Sequence, residues 1–318
     1  VRASLRALLV LCAPLIAGAQ TPHTITLLLD NDAFNFWMMP WDRPDGEYTS
    51  GVHITYDGIR PAGWSKRFWP LQSPCVRGAK ECTSAGAEIG QDIYTPMLRA
   101  SDPLPGDGAR PNAGWLYLSQ SVRTLRQERA DEITLTLGVT GPPSLARFTQ
   151  RLAHSAAPEF NRPTDWSRQI GFEPGLMARY QQRRRVLSIP GWFDVLPVVA
   201  TTLGNVNTSA ELGLQSRVGW HLRHPWLPEP STAPTEFSIV AGATGRAVAR
   251  DLFLDGNTFR ASPRVGHRPF IGTGELGLQV RHKVFTLAYR AYTASRAYAA
   301  GPAWHPWSSM IGSVTFDR

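Results

Sequence analysis

Apolar and polar residues alternate with a period of two in stretch after stretch of this chain, and that pattern restricts its fold more than any other feature. Ile133, Leu135, Leu137 and Val139 alternate with Thr134, Thr136, Gly138 and Thr140. Ala210, Leu212, Leu214 and Val218 alternate with Glu211, Gly213, Gln215 and Arg217. Similar stripes run through Leu276, Leu278 and Val280, through Phe285, Leu287, Tyr289 and Ala291, and through Met310, Gly312, Val314 and Phe316. Successive side chains of a strand point to opposite faces, so each stripe gives one apolar and one polar face. Each segment spans about ten residues, the length of a tilted membrane strand. A soluble sandwich alternates too, but the Glu and Arg among the polar partners suit a wet barrel interior.

About twelve candidate strands follow, an even number as membrane barrels use. They begin near His23, Tyr48, Ala85, Gly114, Asp131, Gly171, Phe193, Thr208, Glu236, Gly272, Val284 and Ser308. Gly204-Asn205 and Asp255-Gly256-Asn257 are the clearest turn signals. The expected fold is all-β, an antiparallel transmembrane barrel. Trp115, Tyr117, Trp192, Trp220, Trp304 and Trp307 near strand ends are expected in its interfacial aromatic girdles. One segment breaks the pattern. After Pro142-Pro143-Ser144, Leu145, Phe148 and Leu152 fall on one helical face, and Arg147, Gln150, Arg151 and His154 on the other. This predicts a short amphipathic helix in a loop between strands.

The N-terminus points to export. Arg2 and Arg6 precede the apolar run 7–16, and Ala17-Gly18-Ala19 supplies small residues for cleavage. Residues 1–19 read as a signal peptide, with the barrel occupying 20–318. The apolar run is too short for a membrane anchor, and no later segment approaches a membrane-spanning helix. Export permits a disulfide, so Cys75 and Cys82 read as a local loop staple, with a metal pair as the weaker alternative. With 42% hydrophobic and 18% charged residues the chain is not disordered. Its formal net charge of +8 fits phosphorylated or acidic lipid. No nucleic-acid motif accompanies it, so nucleic acid is not expected as a partner.

Three places carry candidate chemistry. His154 lies on the polar helix face one turn after Gln150. It is either a solvated loop histidine or a general base, since imidazole titrates near neutral pH. Glu159 follows it as an orienting carboxylate or an ordinary loop acid. Asn31-Asp32 close the first strand, with Asp30 before them. Such hard oxygen donors suit calcium, although an Asn/Asp turn is as common. The third place is Thr49 in 47–51, opening the strand expected beside the first; it is a polar neighbour for Asp32 or simply a β-former. No G-x-S-x-G elbow surrounds Ser50, and neither H-E-x-x-H nor C-x-x-C occurs.

In their order these pieces resemble the outer-membrane lipid A 3′-O-deacylase family, the LpxR type. The resemblance rests on DNDAF (30–34), EYTSG (47–51), GQDIYTP (90–96), AGWLYL (113–118) and LGVTGPPS (137–144). It continues through QRLAH (150–154), DW-x-x-Q (165–169), LGNV (203–206) and LDGNTF (254–259). It implies about twelve strands and a loop helix over an active site on the barrel wall. It implies calcium-assisted hydrolysis of the 3′-acyloxyacyl ester of lipid A in the outer membrane. His154 would be the general base and Asp32 the calcium ligand. Asn31, Thr49, Gln150 and Glu159 would complete the catalytic group. A family lysine that meets substrate has no clear counterpart, and Arg99 and Arg110 are its candidate substitutes. The molecule is expected to act as a monomer on lipopolysaccharide. Two other readings stay open at this level: another outer-membrane lipid esterase of the phospholipase type, and a channel or structural barrel without catalysis.

Overall fold

The computed structural model describes residues 21–39, 46–59, 63, 73–97, 108–156, 166–230 and 232–317. The signal-peptide reading of 1–19 and the candidates Glu159 and Arg99 lie outside these residues. Strands β1 (Pro22–Asn31), β2 (Ser50–Ile59), β3 (Glu81–Tyr94), β4 (Ala113–Arg126), β5 (Arg129–Thr140) and β6 (Glu173–Arg184) pair antiparallel in sequence order. A three-residue strand β7 (Leu187–Ile189) folds back on β8 (Gly191–Gly204). Then come β9 (Asn207–Leu222), β10 (Glu236–Asp251), β11 (Phe270–His282), β12 (Phe285–Ser295) and β13 (Trp304–Asp317). Pairing of β1 with β13 and of β6 with β8 closes the ring. With β7 as an edge ribbon, the wall is a closed antiparallel barrel of twelve strands.

Alternation sets which face meets lipid. Leu27, Ile54, Ile89, Leu118, Leu137 and Leu176 are exposed. The strand register places them side by side in one row across six strands. An edge-free wall with such a belt is the β solution to crossing a bilayer, because each backbone polar group finds a partner within the sheet. Many inward positions are polar. Thr24 and Thr26 bond Thr315 and Ser313 across the β1–β13 seam at 2.9 Å. Arg179 reaches Glu211 at 2.8 Å, and Arg123 spans Asp57 and Glu132 at 2.6 and 2.7 Å.

The girdle expectation needs correction. Trp192, Trp220 and Trp304 are more than half exposed, and the rings of Trp192 and Trp220 meet edge-on at 5.2 Å. Trp115, Tyr117 and Trp307 instead point inward. Trp115 is 2% exposed and forms a cluster with Ile170, Val206 and Leu252. The Tyr117 hydroxyl donates to Glu88 at 2.7 Å, and Trp307 stacks on Tyr292 at 5.1 Å. Parity explains this: Trp115 and Tyr117 share a face with Ser119 and Ser121, whereas Leu118 lies on the lipid face.

The termini share one end of the barrel, where Pro22 pairs with Asp317. Cys75 and Cys82 form the expected disulfide there. The opposite end carries the connections 32–49, 95–112, 141–172 and 252–269. Long connections mark the extracellular side of bacterial barrels. The loop helix Ala146–Ala156 stands at this end. Among the described residues no helix is long and apolar enough to cross a membrane.

Candidate functional site

The end of β1 builds the first part of the site. Asn31 continues the outward phase of Ile25 and Leu27, while Asp30 points inward. The Asn31 side chain caps a short 3-10 turn, accepting from the Ala33 amide at 2.7 Å. Asp32, the first residue of that turn, is 3% exposed, and its Oδ2 accepts from the Gly46 amide at 2.6 Å. This bond brings the chain entering β2 back over the end of β1. Gly46 has φ +135°, and a Cβ there would lie 2.4 Å from Pro96 O and from Met97 Cα. Only glycine fits between Asp32 and that backbone.

Residues 47–49 continue the pairing with β3, one residue out of the β2–β3 register. The Glu47 amide donates to Thr95 O at 2.7 Å and the Thr49 amide to Ile93 O at 3.0 Å. The Thr49 and Thr95 hydroxyls bond each other at 2.6 Å. Asn31, Asp32 and Thr49 thus belong to one corner at the extracellular end of β1 and β2. Thr95 was missed in the sequence: the motif at 90–96 holds it, but the β2–β3 register places it one residue out of step with Thr49, and the two meet only because residues 47–49 leave the regular ladder. Beneath the corner, inside the lumen, the Tyr48 hydroxyl, with one proton to give, lies between Asp30 at 2.7 Å and Asp92 at 2.9 Å. His53 joins Asp92 at 3.0 Å, and Ser309 also bonds Asp30. This network fixes the inner face of the same strand ends. No motif announced it, because its members come from four strands.

The second part is the loop helix. Register sets Asn31, Ser50, Ile93 and Gly114 in one row across β1 to β4. The helix starts on that row's outer surface. A Cβ on Gly114 would lie 2.2 Å from Ser144 Oγ and 2.3 Å from Ala146 Cβ. Ala146 and Ile93 are each 1% exposed and pack with Trp166. The Gln91 side chain donates to Ser144 O at 2.6 Å. Gln150, one turn on, is 6% exposed and accepts from Trp166 Nε1 at 2.8 Å. The helix therefore rests on the wall by Ala146 and Gln150. Its apolar residues Leu145, Phe148 and Leu152 stay 54–65% exposed.

His154 follows Gln150 by one turn, half-buried at the border of the wall-facing side. Among the described residues no hydrogen bond or ion pair joins it to Asn31 or Asp32. With neighbouring strands about 4.8 Å apart, Gly114 lies roughly 14 Å along the wall from Asn31. The lipid-facing surface between them is bounded by the strand-end corner on one side and the helix on the other. Arg110, a candidate for the family lysine, is taken by a structural role. It is 6% exposed, its Nη1 donates to Glu47 O at 3.0 Å and Oε2 at 3.2 Å, and it covers the Tyr94 ring at 4.7 Å.

The motif at 254–259 braces the helix loop. Asn257 accepts from the Gly171 amide at 2.8 Å and donates to Gly171 O at 3.0 Å. Asp255 anchors this brace: its carboxylate accepts from the Asp251 and His267 amides at 2.9 and 3.1 Å and meets the His267 ring at 2.8 Å. Burial opposes its ionisation, but these donors prevail and hold it below the usual carboxylate range. On the neighbouring loop, burial and the Glu47 carboxylate push the Tyr298 phenol up, so it stays a donor to Glu47 at 2.7 Å.

Calcium requires oxygen ligands, and the corner offers the Asn31 amide, the Asp32 carboxylate and the Thr49 and Thr95 hydroxyls. Among the described residues no group of three His, Cys, Asp or Glu is arranged to hold a metal. Calcium at this corner would therefore draw on amide, hydroxyl, backbone carbonyl and water oxygens beside Asp32. The donor chemistry fits a hard cation on those terms.

Comparisons with known proteins agree with this architecture. A comparison with curated proteins finds no match. Among solved structures the chain is similar to LpxR from Salmonella typhimurium, with 16% identity and a TM-score of 0.74, over 92% of this chain and 100% of that one. At that identity the likeness shows a shared fold. The chain is also similar to the beta domain of the Bordetella autotransporter BrkA, at 14% identity and a TM-score of 0.46, covering 94% and 99% of the two chains. A family model described as Outer membrane protein LpxR matches residues 5–316. Because that match spans nearly the whole sequence, the chain belongs to the LpxR outer membrane protein family.

Proposed function

We infer that this outer-membrane protein is a lipid A deacylase that hydrolyses the 3′-acyloxyacyl ester with His154 as general base and calcium at the strand-end corner. The observation that carries this reading is the outer-wall row itself. The start of the helix that bears His154 is seated on the row of Asn31 and Ser50, on the side of the barrel that meets lipid. A substrate held in the outer leaflet can enter such a site without leaving the membrane.

His154 takes a proton from water as the water oxygen bonds to the ester carbonyl carbon. The ester C–O bond then breaks, and the sugar oxygen leaves with the proton returned by the imidazolium. The products are a free acyloxyacyl acid and lipid A with a 3′ hydroxyl. No covalent serine intermediate is needed. By the family resemblance Glu159, outside the described residues, would orient the imidazole, and Gln150 holds the helix in place through Trp166. Asp32, with Asn31 and Thr49, would hold calcium, which supplies positive charge for the developing oxyanion.

Mass spectrometry of lipid A from cells expressing each form tests this. The wild-type protein should remove the mass of one acyloxyacyl group. His154→Ala should lower the rate by roughly 10²–10⁴. Asp32→Ala and calcium chelation should each cost several kcal/mol of barrier, on the order of an oxyanion-hole donor. A folded His154→Ala barrel that still deacylates at the wild-type rate would exclude the proposed base.

A further inference from the structure

The loop helix presents its apolar side away from the barrel that supports it. Leu145, Phe148 and Leu152 are 54%, 65% and 60% exposed, whereas Ala146 and Gln150 are buried on the wall. Spaced three and four residues apart, the three apolar side chains form one stripe. Arg147 and Arg151 are exposed and lie one turn apart, between that stripe and His154. Water around a free stripe of this kind would be costly, so its occupant matters.

The barrel wall indicates that occupant. Ile89, Leu118 and Leu137 form a lipid-facing row on β3, β4 and β5, directly below the helix. Gly114, which the helix covers, is four residues above Leu118 on β4, roughly 13 Å along the strand. The apolar band of such barrels is about 25 Å tall, so this height corresponds to its upper rim. The stripe therefore continues the lipid-facing surface to the level of the headgroups. Interfacial helices combine an apolar face with flanking Arg or Lys in this way.

We propose that the helix lies in the outer-leaflet interface, with Leu145, Phe148 and Leu152 among the acyl chains and Arg147 and Arg151 on lipid phosphates. The occupant is the anionic bilayer surface itself. This holds whether or not the protein cleaves lipid, because it rests on the placement of the helix alone.

Spin-label depth measurements on the full-length barrel in vesicles test the proposal. Cys75 and Cys82 are bonded to each other, so with Cys12→Ser in every variant a nitroxide can be directed to Phe148→Cys or Leu152→Cys. Leu118→Cys supplies a lipid reference and Glu128→Cys an aqueous one, and gel mobility before and after heating reports barrel folding. All labelled proteins carry His154→Ala, so turnover cannot alter the lipid. The labels at 148 and 152 should collide with oxygen severalfold more than with a water-soluble nickel complex, as at 118. Immersion should deepen from phosphatidylcholine to phosphatidylglycerol vesicles, and Arg147→Gln with Arg151→Gln should remove that lipid dependence. Labels that behave as at 128 would overturn the proposal. Immersion that is equal in both lipids would overturn the role of the two arginines. Neither result depends on deacylation, which the lipid A mass measurement decides separately.

Discussion

At the scale of single residues, the site depends on contacts that tie loops distant in sequence. Glu47 has a left-handed backbone, φ +67°, which costs a non-glycine residue about 1 kcal/mol. It is held by Arg110 at 3.2 Å and Tyr298 at 2.7 Å, and its side chain is 3% exposed. Removing Arg110 would leave a buried carboxylate with one neutral donor. Arg110→Ala should therefore destabilise the extracellular end by about 3–5 kcal/mol, read as a lower urea midpoint of the barrel in detergent. Adding Glu47→Gln should recover part of the loss, because an amide is less costly than an unpaired charge. An unchanged midpoint in the single variant would show that water already reaches Glu47. Asn31, Asp32 and Thr49 were legible as candidates because they sit at strand ends in short motifs. The Glu47–Tyr298 bond, 251 residues apart in sequence, was not, since local pattern carries no information about which loops meet.

At the scale of elements, alternation revealed most strands within a few residues of their starts. It also showed the helix, but not which side of it would pack. Reading Leu145, Phe148 and Leu152 as the seat of the helix would be natural for a soluble protein. In a membrane barrel the solvent beside the wall is itself apolar, so a small residue on a flat wall makes the seat. Gly114 is the matching feature, with Ala146 standing where its Cβ would be. Gly114→Val should lift the helix, separate Ala146 and Trp166 from Ile93, and lower lipid A deacylation at least tenfold. The barrel should still migrate as folded on unheated gels, because the substitution lies on the outer face of an intact strand. Full activity of this variant would mean that the helix does not need the wall. The displaced aromatics carry a related lesson. Trp115 and Trp307 look like girdle residues by type and position along the strand, yet strand parity sends them into a lumen wide enough to take them.

At the scale of the whole molecule, the two ends of the barrel are built differently. The extracellular end carries the loops that bear the site. The end with the termini is crossed by the β2–β3 and β9–β10 connections, which grip each other. The Gly78 amide donates to Pro228 O at 3.0 Å, Arg77 reaches Glu229 O and Asp317 at 2.8 Å, and Trp226 Nε1 donates to Arg126 O at 2.6 Å. Trp226 and Leu227 pack against the disulfide and Leu125. His224 organises this floor as a neutral ring. Its Nε2 meets Gln127 O at 3.0 Å as a donor, and its Nδ1 accepts from the Leu227 amide at 3.1 Å. Burial, with Arg185 and Arg217 nearby, lowers its pKa to about 4. In the unfolded chain the ring would titrate near 6.5. Between those values the unfolded state binds the extra proton, so stability falls as pH is lowered from roughly 6.5 to 4. Partial exposure limits this contribution to about 1–2 kcal/mol. Hydrogen exchange on the folded barrel should show faster exchange at Gly78 and Leu227 at pH 4.5 than at pH 7.5, after correction for intrinsic rates. His224→Gln removes the titrating ring but keeps both donor and acceptor atoms, so the pH difference at these amides should disappear. If it persists, the imidazole does not govern the floor.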